Sequence, residues 1–132
     1  MKQYFISTAN FRKLVQKILK ESTVVAPVRT GLNRCLEEIG PDNIDAMDIF
    51  GIRTIESLKS YLFKLSEKVS KYFGKDEAFH GKSLTIIGVR GCDTEALEVL
   101  DKVLGEGDPI DPFYASNREK TMIIGADCTD CG

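Results

Sequence analysis

The sequence predicts an α/β domain, a small and mostly parallel sheet with flanking helices, preceded by an N-terminal helix and hairpin-like strands. Three observations predict it. Two short apolar runs, Ser83–Gly88 (SLTIIG) and Thr121–Gly125 (TMIIG), suit buried strands. Between them a helical pattern over 94–104 carries Ala96, Leu97, Val99, Leu100, Val103 and Leu104. Strand, helix and strand with so long a connection form a right-handed crossover between parallel strands.

The other elements follow in chain order. Residues 3–6 (QYFI) predict a short strand. Thr8 or Asn10 can cap a helix over 9–20, where Phe11, Leu14, Val15, Ile18 and Leu19 share one face and Lys13, Lys17 and Lys20 lie outside. Val24–Val28 is β-branched but contains Pro27, which lacks a ladder donor, so an edge strand is predicted. Arg29-Thr30-Gly31 reads as a turn, and Leu32–Ile39 as the returning strand. Gly40-Pro41-Asp42-Asn43 is a turn signal. Ile55, Leu58, Leu62, Leu65, Val69 and Tyr72 have helical spacing, compatible with a helix over 54–72 or with an extended crossover. His80 stands before a glycine with no ligand partner nearby and reads as a loop residue. Asp93 suits the N-cap and Gly105 the C-terminal end of the helix after the first apolar run. A loop containing Asp108-Pro109 and Asp111-Pro112 then leads to the last strand.

A chain of 132 residues can bury one core, so a single domain over 1–132 is expected. A formal charge of −2 argues against nucleic-acid binding, which needs a basic face to displace counterions. No run approaches the ~18–20 apolar residues of a membrane span. The first fifteen residues lack the apolar core of a secretory signal. A cytoplasmic, reducing location follows as the expectation, and there four cysteines serve as metal ligands or redox thiols before disulfides.

The two apolar runs end alike, in Gly88-Val89-Arg90-Gly91-Cys92 and Gly125-Ala126-Asp127-Cys128. Parallel strands would deliver both cysteines to the carboxyl edge of the sheet, where open α/β sheets gather ligands. Cys131, three residues on, can turn back to the same point. Thiolates in this arrangement point to an iron–sulfur cluster, with Cys92, Cys128 and Cys131 as metal ligands. Cys92 would sit at a helix N-terminus, which favours thiolate. Gly88, Gly91 and Gly125 would let the backbone approach the cluster and offer N–H groups to it. Three cysteines leave a four-ligand cluster one short. Cys35 reads as a small apolar filler or, alternatively to a neighbouring chain, as the source of the fourth ligand.

Other chemistries use the same residues. Zinc could bind the thiolates as a structural ion in an interaction module. The turn Gly88-x-x-Gly91 could cradle the phosphate of a flavin or nucleotide. Thiol–disulfide exchange by Cys128-Thr129-Asp130-Cys131 lacks a following helix to lower a thiol pKa. No nucleophile–base pair can be named, so no catalytic residue is assigned, and Asp93, Asp127 and Asp130 read as caps or solvated acids.

Several stretches resemble a known family: Gly88-Val89-Arg90-Gly91-Cys92-Asp93, Ala96-Leu97-Glu98-Val99-Leu100-Asp101, Asp111-Pro112-Phe113-Tyr114, Asn117-Arg118 and Ile123-Ile124-Gly125-Ala126-Asp127-Cys128. Together they are similar to the N-terminal half of the iron–sulfur (4Fe-4S dicluster) subunits that include sulfhydrogenase beta subunits and the A subunit of anaerobic sulfite reductase. The helix Phe11–Lys20 and the run Val24–Val28 resemble that family's opening, and the likeness is most specific over 83–131. It implies a [4Fe-4S] electron-carrying component beside a catalytic hydrogenase, sulfite reductase or heterodisulfide-reductase-like partner in an anaerobic complex. It implies that Cys92 and Cys128 match the family's strand-end cysteines, with Cys131 a further match. Gly91 stands where the family has proline. Family members continue into a two-cluster ferredoxin module, so the expectation for 1–132 is the α/β half without it.

Overall fold

The computed structural model describes residues 2–51, 54–63 and 83–127, and it has the predicted α/β class. Helix α1 (Thr8–Ile18) is followed by strands β1 (Thr23–Thr30) and β2 (Asn33–Ile39), then a short helix α2 (Lys59–Leu62). Strand β3 (Leu84–Val89), helix α3 (Gly91–Leu100), helix α4 (Pro112–Glu119) and strand β4 (Thr121–Gly125) complete the chain order. The strands form one sheet in the order β2-β1-β3-β4. β1 and β2 are antiparallel, and both β1–β3 and β3–β4 are parallel.

Apolar residues cover both faces of the sheet. Val24, Ala26 and Ile87 meet Val15 of α1 on one face, with Ile39 and Ile44. Val25, Ile86 and Val89 meet Leu97 of α3, Tyr114 of α4, and Leu58 and Leu62 on the other. The alternation of Val24, Val25 and Ala26 between the two clusters is the period-2 signature of a strand buried on both sides.

Pro27 therefore lies in an interior strand, not the predicted edge strand. It is tolerated because the parallel ladder of β1 with β3 runs only from Thr23 to Val25, so no donor is required at Pro27 on that side. Beyond that point the segment after Ile44 takes the place of β3. Asp48 N donates to Pro27 O (2.7 Å), and Val28 bridges Met47.

Three local expectations are corrected. Residues 3–6 form no strand: they pair with no strand among the described residues, and Phe5 is fully exposed. Ser7, not Thr8 or Asn10, caps α1, its hydroxyl accepting from Asn10 N (3.3 Å). Arg90, not Asp93, is the N-cap of α3, so that Asp93 falls within the first turn beside the helix's partial positive charge. The helix extends into a π-helical turn, Asp101–Gly105, which ends at the predicted Gly105. Of the pattern over 54–72, the described part is helical only at Lys59–Leu62; residues 64–72 and His80 lie outside the described residues.

Helix α4 stands where the sequence predicts a loop containing Asp108-Pro109 and Asp111-Pro112. Asp111-Pro112 is in fact a start signal, a capping acid followed by proline at the first helical position. Asp111 Oδ1 accepts from Phe113 N and Tyr114 N, both at 2.9 Å.

Candidate functional site

The carboxyl edge of β3 and β4 is built around one irregularity. Gly88 has φ +82, and the β3–β4 register shifts between Ile87 and Val89. The extra residue turns Val89 onto the face it shares with Ile86, and it re-aims each side chain that follows, Arg90 first. A Cβ at Gly88 would lie 3.0 Å from Pro27 Cδ and 3.4 Å from Ile49 Cγ2. Both the backbone angle and the lack of space demand glycine here.

Arg90 is 2% exposed. Its Nη1 donates to the carbonyls of Ala126 (3.1 Å) and Asp127, and its Nη2 to those of Ile49 (2.8 Å) and Gly51. Ala126 N donates to Val89 O (2.8 Å), so backbone and side chain tie the two strand ends together. One guanidinium thus fixes the exit of β4 and the 49–51 loop against the start of α3. Arg34 anchors the same loop from the other side. Its Nε meets Asp48 Oδ2 at 3.1 Å, and its guanidinium fills the space where a Gly51 side chain would be.

Cys92 is the second residue of α3 and is exposed. The helix's first bonds are donated by Asp93 N and Thr94 N to Arg90 O, both at 3.0 Å, so the N–H groups of Gly91 and Cys92 belong to the terminus. A Cβ at Gly91 would meet no heavy atom within 4 Å, so the space beside Cys92 is open. Gly125 ends β4 and is exposed. The sheet brings Cys92 to the same edge as Asp127, which immediately precedes Cys128; Cys128 and Cys131 lie outside the described residues. Among the described residues, no three Cys, His, Asp or Glu side chains converge as a metal site. The described residues therefore fit a cluster as one exposed thiol in open space at a helix N-terminus.

Cys35 lies two strands away from β3, about 10 Å across the sheet at ordinary strand spacing. Burial raises its thiol pKa, and the carboxylate of Glu56, which accepts its hydrogen bond, raises it further. Glu56 is itself held below the usual carboxylate range, chiefly because it accepts from Leu36 N (3.0 Å).

The stretch from Asp111 to Arg118 is architectural. Tyr114 is fully buried, and its hydroxyl donates to Asp101 Oδ1 (2.7 Å). Arg118 Nε reaches the same carboxylate at 3.0 and 3.2 Å. Asn117 Nδ2 donates to Leu62 O (3.1 Å), joining α4 to α2. These side chains lock the π-helical turn after α3 to α4, and so hold the crossover that aligns β4 with β3.

The fold and this edge define a class: an α/β unit whose parallel strands present a helix-terminal thiol at their carboxyl ends. The chain is similar to Sulfhydrogenase 2 subunit beta of Pyrococcus furiosus, with 27% identity over 121 residues. The alignment takes in 89% of this chain and 35% of that protein, so the chain spans about a third of the relative's length. No protein-family model matches the chain, and no solved structure matches it. No helix among the described residues is long and apolar enough to cross a membrane.

Proposed function

We propose that this chain is an iron–sulfur electron-transfer subunit or domain of an oxidoreductase complex, with Cys92, Cys128 and Cys131 as cluster ligands at the carboxyl edge of the sheet. The observation that carries the reading is the Arg90 clamp, which holds the carbonyls of Ala126 and Asp127 beside the start of α3. Cys92 follows Arg90 by two residues, and Cys128 follows Asp127 by one. The similarity to Sulfhydrogenase 2 subunit beta supports a place beside a catalytic redox partner of hydrogenase type.

A bound cluster, of [4Fe-4S] type by this reading, would supply one-electron transfer. The chain's own residues do the rest. The α3 terminus presents its free N–H groups beside the exposed Cys92. Gly91 leaves room beside the thiol, and Gly125 permits close backbone approach from the neighbouring strand. Arg90 sets the separation of the two strand ends.

Anaerobic purification with iron and sulfide analysis and EPR tests this. The wild type is expected to be brown and to carry iron with acid-labile sulfide. Cys92→Ser is expected to lose most of both, together with the EPR signal. An unchanged signal in that variant would sink the assignment of Cys92. Colourless protein with stoichiometric zinc would replace the cluster by a structural ion.

A further inference from the structure

A second feature of the same edge is independent of the thiols. A cavity of about 470 Å³ opens between α1, the 44–50 segment and the ends of β3 and β4. Its size falls within the roughly 300–1,000 Å³ typical of small-molecule sites. Phe11, Ile44, Ile49, Ile87 and Ile124 supply apolar walls. At the mouth Ile6 is 54% exposed and Phe50 65%, apolar surface that a ligand would remove from water.

The walls are fixed in advance. Ile49, Ala126 and Asp127 line the cavity, and each gives its carbonyl to the buried Arg90 guanidinium. A site held this way loses little freedom when it is filled. Its charge also selects. Among the described lining residues Arg12 is the single cation and Asp45 and Asp127 are the acids, giving 1 − 2 = −1. Arg12 Nε already meets Asp45 Oδ1 at 2.7 Å. Among the described lining residues no unpaired cation is offered to a phosphate or carboxylate. The nearby Arg90 directs its Nη groups to backbone carbonyls behind the wall, so an anion entering between the apolar walls would lose its hydration without a partner.

We infer that this cavity is a binding site for a small, neutral, largely apolar ring compound, and that it rejects the anionic forms of the same ring. The site does not depend on a cluster being bound at Cys92.

A matched pair of probes tests it on the full chain. 2-Naphthol is the neutral ring and 2-naphthalenesulfonate its anionic counterpart, both followed by ligand-observed NMR and fluorescence titration. The expected result is saturable 1:1 binding of 2-naphthol, with the sulfonate at least about tenfold weaker. Ala126→Phe, which fills the cavity, is expected to abolish binding. Ile6→Glu changes an exposed residue outside any helix or strand, so it tests the mouth without endangering the fold, and it is expected to weaken binding several-fold. Equal binding of both probes, or no saturable binding by wild type with an intact circular dichroism spectrum, overturns the inference. So does a concentration-dependent dimer that Ile6→Glu converts to monomer, because a second copy would then cover the mouth.

Discussion

Arg90 was legible in the sequence only as one letter of a motif. Its acceptors are backbone carbonyls up to 41 positions away, which leave no side-chain pattern to read. Removing it strands four carbonyls that a charged donor had satisfied. Arg90→Ala is expected to cost about 3–5 kcal/mol in urea unfolding. Arg90→Lys keeps the charge but cannot reach both pairs of carbonyls, and should recover only part of that loss. A shift of the denaturation midpoint equivalent to less than 1 kcal/mol (roughly the worth of one ordinary hydrogen bond) for Arg90→Ala would show that the clamp is not structural. The cysteines differ in a similarly readable way. Cys35 holds its proton through burial and Glu56, whereas Cys92 is exposed. In metal-free protein at neutral pH, iodoacetamide should therefore label Cys92 well before Cys35, as peptide mapping would report.

At the scale of elements, composition and periodicity identified most helices and strands but not their neighbours. Pro27 pointed to an edge because propensity sees one residue's missing donor and not where a ladder stops. α4 hid behind two Asp-Pro pairs whose second member is a cap. Gly88 and Gly31 give a paired test of what the sheet demands of glycine. Both have positive φ, +82 and +66, but a Cβ at Gly31 meets nothing within 4 Å, whereas one at Gly88 meets Pro27 and Ile49. Gly31→Ala should cost only the left-handed backbone, about 1–2 kcal/mol. Gly88→Ala should add a steric penalty, reaching about 3 kcal/mol or more by differential scanning calorimetry. The link between α3 and α4 has a pH signature. Burial first, and then the Asp101 hydrogen bond, raise the Tyr114 pKa well above its ordinary 10.0. The unfolded chain then loses this proton at lower pH than the folded one. The contribution is full below pH 10 and declines as pH rises further. Tyr114→Phe should lose about 1–2 kcal/mol at neutral pH and show a flatter decline of stability above pH 10.

For the whole molecule, the class of fold was legible because two apolar strands flanking a helix leave few alternatives to a parallel crossover. The meeting of Cys92 with the exit of β4 followed from that topology. What the sequence concealed was everything made by backbone geometry: the register shift at Gly88, the loop held over β1, and the cavity between them. None of these has a residue period. They arise where elements far apart in sequence come together, and only the packed molecule contains them.

The strand order β2-β1-β3-β4 bears on how the chain reaches this state. The β1–β2 hairpin closes over a two-residue turn, while β1 must find β3 across some sixty intervening positions, Thr23 with Leu84. Local pairs cost little loop-closure entropy and distant ones more, so the hairpin should form early and the parallel pairs late. In folding kinetics, substitutions near Gly31 should slow folding, whereas substitutions in β4 should mainly speed unfolding. The edge that gathers Cys92, Arg90 and the end of β4 would then be the last part of the molecule to assemble, and a metal that needs it could load only onto a nearly finished fold.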